Sequence, residues 1–402
     1  MCSAPQRSSL SAASASVALV CRSSRSSPTS ALRSSAGGHL GFPPNLIDVT
    51  SAPVPASLAE IAGRVEARLA EVLAVEEARW STFDPDLAEP VGEIGRLVLG
   101  GGKRLRPAFC HWGYAAAGGN PADPIVADAG AAFELMHAFA LFHDDVMDDA
   151  ASRRGQPTTH TLFAERHHQA GWSGEARRFG DGVAILVGDL AFVLADQLLA
   201  GANREAWAIW NELRIELNIG QVLDIVGSVR NDRTRAKAER ICRYKSGKYT
   251  IERPLHLGAV LAAPDRAAEL LPALSAYGLP LGDAFQMRDD VMGAFGDPAV
   301  TGKPVGGDLR EGKPTPLMAR AVEAASPAQA EVLALVGRAV LTDTDVARVQ
   351  QVIIDTGALA DLEATIDRLT AEAVWAIEQA PITAGARAEL VALAAYVSRR
   401  LV

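Results

Sequence analysis

The sequence predicts an all-α protein, a bundle of roughly ten helices around a central cavity, and three observations carry that expectation. From Ser57 onward Ala, Leu, Glu and Arg are abundant, all good helix formers. Apolar residues recur at three- and four-residue spacing, as at Ile61, Val65, Leu69, Val72 and Leu73, which puts them on one helix face. Strand signals are scarce, because β-branched clusters such as Val183–Val187 are short and embedded in Ala/Leu-rich sequence.

In chain order, the first 47 residues stand apart. They hold Arg7, Arg22, Arg25 and Arg33, many Ser and Ala, and no acid before Asp48. Such a leader resembles an organelle transit peptide, but a disordered extension or an upstream start codon accounts for it more simply. We therefore divide the chain into an N-terminal extension, residues 1–55, and one domain, residues 56–402. The expected location is the cytoplasm, or a plastid or other organelle if the leader is a transit peptide. Breakers then separate the helices, at Gly118-Gly119-Asn120-Pro121, Gly171–Gly174, Ala263-Pro264-Asp265 and Asp297–Gly307. Val17–Val20 is too short for a membrane span, and no stable membrane anchor is expected.

Composition narrows the function classes. A hydrophobic content of 49% supports a large core, and a net charge of −9 argues against a general nucleic-acid binder. Cys2, Cys21, Cys110 and Cys242 are scattered without paired spacing, so they read as free thiols in a reducing compartment.

The most informative feature is a tetrapeptide, Asp-Asp-Val-Met, that occurs at Asp144–Met147 and again at Asp289–Met292. The first copy continues into Asp148 and Asp149, giving four carboxylates within six residues. Each copy closes an apolar stretch, Ala129–Phe142 or Leu279–Met287, that reads as buried helix. Ionised Asp pairs are costly there unless something cationic sits between them. Two acidic walls of one cavity, bridged by hard cations and an anionic ligand, resolve the difficulty. Asp144 and Asp148, four residues apart, share a helix face, and oxygen-only ligands in that arrangement suit Mg²⁺ completed by phosphate oxygens. A solvated acidic helix end is the ordinary alternative, and the apolar flank and the second copy weigh against it.

A basic counterpart exists. Gly100-Gly101-Gly102-Lys103-Arg104-Leu105-Arg106-Pro107 fails as a P-loop, since Arg104 stands where Ser or Thr would hold Mg²⁺. A Gly-rich bend feeding Lys and Arg can nevertheless grip a diphosphate. Arg153-Arg154-Gly155 adds two forked donors just beyond the first Asp cluster.

These motifs together resemble the trans-isoprenyl diphosphate synthases, the polyprenyl synthetase family. Gly102–Pro107, Asp144–Asp148, Arg153–Gly155, Gly220-Gln221-x-x-Asp224, Lys245-Ser246-Gly247 and Phe285-Gln286-x-x-Asp289-Asp290 occur in that family's order. Gly296-Asp297-Pro298 through Thr301-Gly302-Lys303, and Asp308 to Lys313, are similar too, so the likeness runs from about residue 57 to the end of the chain. It implies an isoprenoid-synthase-type helical bundle and Mg²⁺-dependent condensation of isopentenyl diphosphate with allylic diphosphates. On the resemblance, Asp144, Asp145, Asp148, Asp289 and Asp290 hold Mg²⁺, and Arg153 stabilises the departing pyrophosphate. Lys103, Arg106, His137 and Arg154 form the isopentenyl diphosphate pocket. Lys245, Lys303 and Lys313 add positive charge, Ser246 and Gln286 line the cavity, and Gln221 and Asp224 order their neighbours. His137 alone would read as a core histidine, and only its offset before Asp144 makes it a ligand. Lys248 and Tyr249 read as structural or rim residues, and Arg399 and Arg400 as solvated.

Two departures stand out. Gly293 replaces an Asp that many members carry, with Asp297 one turn later, and Pro314 follows Lys313 where a polar residue is expected. Product length should follow the floor below the first motif. There Phe139 is bulky and Ala140 small, which on the resemblance suggests geranylgeranyl diphosphate rather than a farnesyl or longer product. The rival readings are a class I terpene cyclase and a non-catalytic subunit of a heteromeric synthase. Asn231-Asp232-x-x-Arg235-x-x-x-Glu239 nearly matches the cyclase's second metal motif, but Arg235 opposes a cation there. The non-catalytic subunits generally lose an Asp motif, and both remain in this chain. The resemblance also implies a homodimer.

Overall fold

Helices begin where the apolar periodicity begins. In the computed structural model α1 spans Ala56–Ser81 and buries Leu58, Ile61, Val65, Leu69 and Leu73, a single stripe along one face. The structure describes residues 53–230, 234–296, 306–338 and 340–399, all within one compact unit, Val49–Val402. The expectations for the leader, for Asn231 and Asp232, for Asp297 and Lys303, and for Arg400 lie outside the described residues.

After α2 (Glu89–Val98) and α3 (Leu105–Ala116) comes α4, Pro124–Met147, the central helix. Pro124 suits its first turn, where a missing N–H costs nothing. Its residues Ala129–Met136 are all buried, against α1, α3 and the later helix α6 (Ala176–Leu198). It is long and apolar enough to cross a membrane by length and composition, against the expectation that no segment after Val17–Val20 offers such a span. Burial on several sides inside the bundle is the simpler reason for its apolarity.

Between α4 and α5 (Thr159–Gln169) lies a two-residue hairpin, Ser152–Arg153 (β1) against Gln156–Pro157 (β2). Its turn residues Arg154 and Gly155 both take positive φ, 51° and 73°, as a type I′ turn requires. The sequence carried no strand signal for it.

Helices α7 (Arg204–Arg230) and α8 (Arg235–Ile241) lead into a π-helix, Cys242–Glu252, which runs into α9 (Arg253–Ala262) and then α10 (Ala267–Phe295). The wider π-helical turn sits at the cavity, where such turns frequently occur. Its close approach to α7 and α10 depends on missing side chains. A Cβ on Gly220 would come 2.6 Å from the Lys245 backbone nitrogen, and one on Gly247 would come 3.0 Å from the Gly282 carbonyl carbon.

Two apolar clusters result. The larger contains Phe109, Phe133, Trp210 and Tyr277, all fully buried. The smaller gathers the second half of α10 onto α12 (Pro316–Ala324), α14 (Asp343–Asp355) and α15 (Ala358–Gln379). Short helices α11 (Gly307–Glu311) and α13 (Pro327–Leu333) connect these, and α16 (Ala384–Ser398) closes the chain. Arg288 on α10 donates to both Glu363 oxygens, at 2.7 and 2.6 Å, and to the Ser398 carbonyl at 2.8 Å. It thereby fixes the helix end that carries the second Asp pair.

The Gly220 contact is testable. Gly220→Val should lower stability by about 1–3 kcal/mol, because the neighbouring atoms are backbone and cannot swing aside. The check is a drop in melting temperature of about 1–4 °C by circular dichroism, since an unfolding entropy of about 2.1 cal/mol/K per residue gives about 1 °C per kcal/mol for 402 residues.

Candidate active site

Both acidic motifs lie at the C-terminal ends of long helices, α4 and α10, where the helix dipole is negative and opposes a carboxylate. They face one cavity of about 720 Å³. Asp144, Asp289 and Asp290 line it, whereas Asp148 is exposed and is not among its lining residues.

Each acid is held differently. Asp144 accepts from Gln221 Nε2 at 2.9 Å and from Lys245 Nζ at 3.3 Å, and Lys245 also donates to Asp224 at 2.5 Å. Burial works against its charge, but Lys245, Lys313 and Arg153 together hold its carboxyl below the usual range. Partial burial and then the Asp144 charge push the Asp148 carboxyl up. Asp290 is 4% exposed, accepts at 3.0 Å from Gln286, and its Oδ2 is buried without a partner among the described residues. Burial raises it well above the ordinary range.

Asp145 departs from the metal-ligand expectation. It is 5% exposed and absent from the cavity lining, and it accepts Arg153 Nε at 2.9 Å and Nη2 at 2.6 Å. Adjacent residues on a helix point about 100° apart, so Asp145 turns inward while Asp144 faces the cavity. Its geometry suits aiming Arg153, whose Nη2 lies 3.8 Å from Asp144.

The basic wall is built by a loop and the hairpin. Lys103, Arg106, Arg153, Arg154 and His137 all line the cavity. Arg106 stacks on Tyr249, 4.4 Å from the ring centroid, and its Nε is buried without a partner among the described residues. Tyr249 is 3% exposed, so it lies inside rather than on the rim. Lys248 pairs with Glu216 and Glu252, as a structural residue should. His137 has a buried Nδ1 without a partner among the described residues, and burial followed by the Arg106 and Arg153 charges keeps the ring neutral.

Lys245, Ser246, Gln286 and Lys313 also line the cavity. Pro314 does not divert Lys313, whose backbone N–H donates to the Asp308 carbonyl at 3.1 Å. Although burial opposes its charge, Asp308 and Glu311 hold the Lys313 ammonium above its ordinary range. Glu239 of the cyclase-like motif accepts from Arg235 at 2.9 Å, an ion pair in place of a metal ligand.

Three residues escaped the sequence reading as site members. Asp308 also lines the cavity, and a Cβ on Gly293 would collide with its carboxylate. The glycine therefore makes room for a third acid beside Asp289 and Asp290. Arg104 and Glu134 form a buried ion pair behind the basic loop, at 4% and 7% exposure. An Arg amid glycines and a lone Glu in an apolar helix were the only signals for that pair.

An orphaned Asp290 oxygen among hard oxygen donors fits a divalent cation such as Mg²⁺. Forked donors opposite fit a phosphate-bearing ligand. Comparisons agree with this chemistry. The sequence model of the polyprenyl synthetase family matches residues 90–353. A geranylgeranyl pyrophosphate synthase of Corynebacterium glutamicum, crystallised with isoprenyl diphosphate and magnesium, is 38% identical with a TM-score of 0.79. That likeness covers 85% of this chain and 99% of that one. The geranylgeranyl diphosphate synthase of Mycobacterium tuberculosis is 34% identical over 305 residues, 74% of this chain and 80% of its own. The geranylfarnesyl diphosphate synthase of Aeropyrum pernix is 35% identical over 272 residues, 65% of this chain and 79% of its own. The chain belongs to the polyprenyl synthetase family and is a prenyltransferase, a trans-prenyl diphosphate synthase of isoprenoid biosynthesis.

Proposed function

We propose that this enzyme condenses isopentenyl diphosphate head-to-tail with allylic diphosphates, with Mg²⁺ bound, and that its main product is geranylgeranyl diphosphate. The observation that carries the reading is one cavity with acidic helix ends on one side and a basic loop and hairpin on the other. Asp144, Asp148, Asp289 and Asp290 would hold the metal, and the vacant hydrogen-bonding capacity of Asp290 Oδ2 favours this. Bound Mg²⁺ would neutralise charge on the allylic diphosphate and its leaving pyrophosphate.

The chain's own residues do the rest. Arg153, aimed by Asp145, and Lys245, held between Asp144 and Asp224, stand where negative charge grows as the allylic C–O bond breaks. Lys103, Arg106, Arg154 and neutral His137 hold the second diphosphate, orienting its double bond toward the allylic cation. A C–C bond forms and a proton leaves, taken by the pyrophosphate released in the first step, so no protein base is required. Leu141 and Phe285 line the cavity as apolar walls that keep water from the cation.

The product assignment rests on the floor. Phe139 is wedged between His143 and Phe192, ring centroids 4.6 and 4.8 Å apart, so it resists displacement. Ala140 beside it is small, and both pack against the main apolar cluster rather than among the residues that line the cavity. The relatives' names span farnesyl, geranylgeranyl and geranylfarnesyl products, so the assignment rests on Phe139 and Ala140 alone. With Mg²⁺, isopentenyl diphosphate and farnesyl diphosphate, mass spectrometry should find geranylgeranyl diphosphate as the end product. Phe139→Ala should lengthen it and Ala140→Phe shorten it to farnesyl. A longer wild-type product would sink the floor argument while leaving the enzyme class intact.

Asp144→Ala should lower kcat by about 10²–10³-fold or more, as loss of one charge-stabilising group does. A chelator should abolish wild-type turnover and added Mg²⁺ restore it. A catalytically silent Asp144→Ala would favour the non-catalytic subunit.

A homodimer is part of the proposal. Helix α6 leaves Leu186 and Val193 exposed, and α7 leaves Ile215, Ile219, Val222 and Val229 exposed. Arg214 links the two helices, bonding Asp196 and lying 4.9 Å over Phe192. Apolar side chains at such spacing along adjoining helices suit burial against a second copy. Light scattering should give a dimer mass for the wild type and a monomer mass for Ile219→Glu; a wild-type monomer would end this part.

A further inference from the structure

We propose that Arg104 is a positioning residue for the isopentenyl diphosphate pocket, acting by fixing the loop that presents Lys103 and Arg106 and by neutralising Glu134. The proposal rests on the assignment of Lys103 and Arg106 to that pocket. Arg104 does not match the P-loop role that its place after Gly-Lys first suggests, and it is buried rather than displayed, at 4% exposure.

Its guanidinium bonds three other elements. It donates to Glu134 on α4, to Glu66 on α1 at 3.1 and 3.0 Å, and to the Val98 carbonyl ending α2. Its backbone takes φ 51°, a left-handed conformation that side-chain-bearing residues rarely adopt. Such a conformation persists where surrounding contacts over-determine it, typically at a functional site. The reversal starts α3 at Leu105, with the Ala108 N–H donating to the Arg104 carbonyl at 3.0 Å. On the other side, Arg154 donates to the Gly101 carbonyl at 2.6 Å. The glycine loop thus threads between two guanidinium groups, and a Cβ on Gly102 would lie 3.4 Å from Arg104 Nη1 and 3.8 Å from Arg154 Nη2.

Charge assignment gives the second half of the role. Arg104 pairs with Glu134 and Glu66, and Arg153 with Asp145. Among the described residues neither Arg106 nor Arg154 forms such an ion pair, so both can meet an anion. Glu134 lines the cavity one turn before His137. Without Arg104, its carboxylate would oppose an incoming diphosphate or capture Arg106.

The test varies the two substrates separately, with Mg²⁺, isopentenyl diphosphate and farnesyl diphosphate. Arg104→Gln should raise KM for isopentenyl diphosphate about ten- to a hundredfold, the scale of a misplaced binding group, with kcat and the allylic KM little changed. Adding Glu134→Gln to it should recover most of that loss, because the opposing charge is gone. Arg104→Lys, which keeps the charge but not the fork, should fall between and carries the test if Arg104→Gln does not fold. A merely structural role predicts parallel loss for both substrates and no recovery in the double variant; either result overturns the proposal. Arg106→Ala separates the premises. If it leaves the isopentenyl KM unchanged, the pocket assignment fails and this inference with it; if only the Arg104 variants are silent, the pocket stands and the inference falls.

Discussion

Negative charge at the C-terminal end of a buried helix is the constraint around which this structure is arranged. The last turn of α4 and the end of α10 each carry paired Asp residues where unsatisfied carbonyls already make the field negative. Carboxylates so placed cannot all stay ionised in a low dielectric without cations nearby. Asp144 meets the requirement with Lys245 and Arg153 and keeps a depressed pKa. Asp290, whose nearest named partner is a neutral amide, does not, and burial drives its carboxyl up. The two walls are therefore unequal. The α4 wall is partly compensated by the protein, and the α10 wall depends more on what binds.

The basic side shows a complementary division of labour. Every arginine near the site carries the same charge, yet their partners divide them into two kinds. All four line the cavity, but Arg104 and Arg153 are matched by the buried carboxylates of Glu134 and Asp145, whereas Arg106 and Arg154 lack carboxylate partners among the described residues. Backbone conformations enforce the division. The left-handed Arg104 and the type I′ turn at Arg154-Gly155 each reverse the chain within a residue or two. A more gradual turn would spread these cations along the surface and dilute the field that attracts a diphosphate.

Much of this was legible in the sequence, for identifiable reasons. Helical periodicity exposed α1 because its buried stripe, Leu58 to Leu73, is one-sided. The duplicated Asp-Asp-Val-Met exposed the acidic walls because charge after a long apolar run demands explanation. What was hidden depends on relations that are not local. Asp144 and Asp145 are neighbours with the same side chain, and only helix geometry sends one to the cavity and the other to Arg153. The π-helix Cys242–Glu252 has no compositional mark, since one extra residue per turn leaves the pattern of types unchanged. The Arg104–Glu134 pair joins residues thirty positions apart. Tyr249, read as a structural or rim residue, is structural, its buried ring supporting Arg106.

Gly293 illustrates how a departure from a motif can preserve its physics. Judged along the helix, the glycine removes a carboxylate from the second wall. In space, the missing side chain is what admits Asp308 from the segment beginning α11, and that carboxylate raises Asp290 and helps hold Lys313 charged. Asp308 arrives on the same short segment as Lys313, whose ammonium it helps keep charged. The same segment carries Pro314, whose restricted backbone limits how that segment can rearrange. The second wall thus gains a charge that is tied to a cation, Lys313, at the cost of one tied only to its helix.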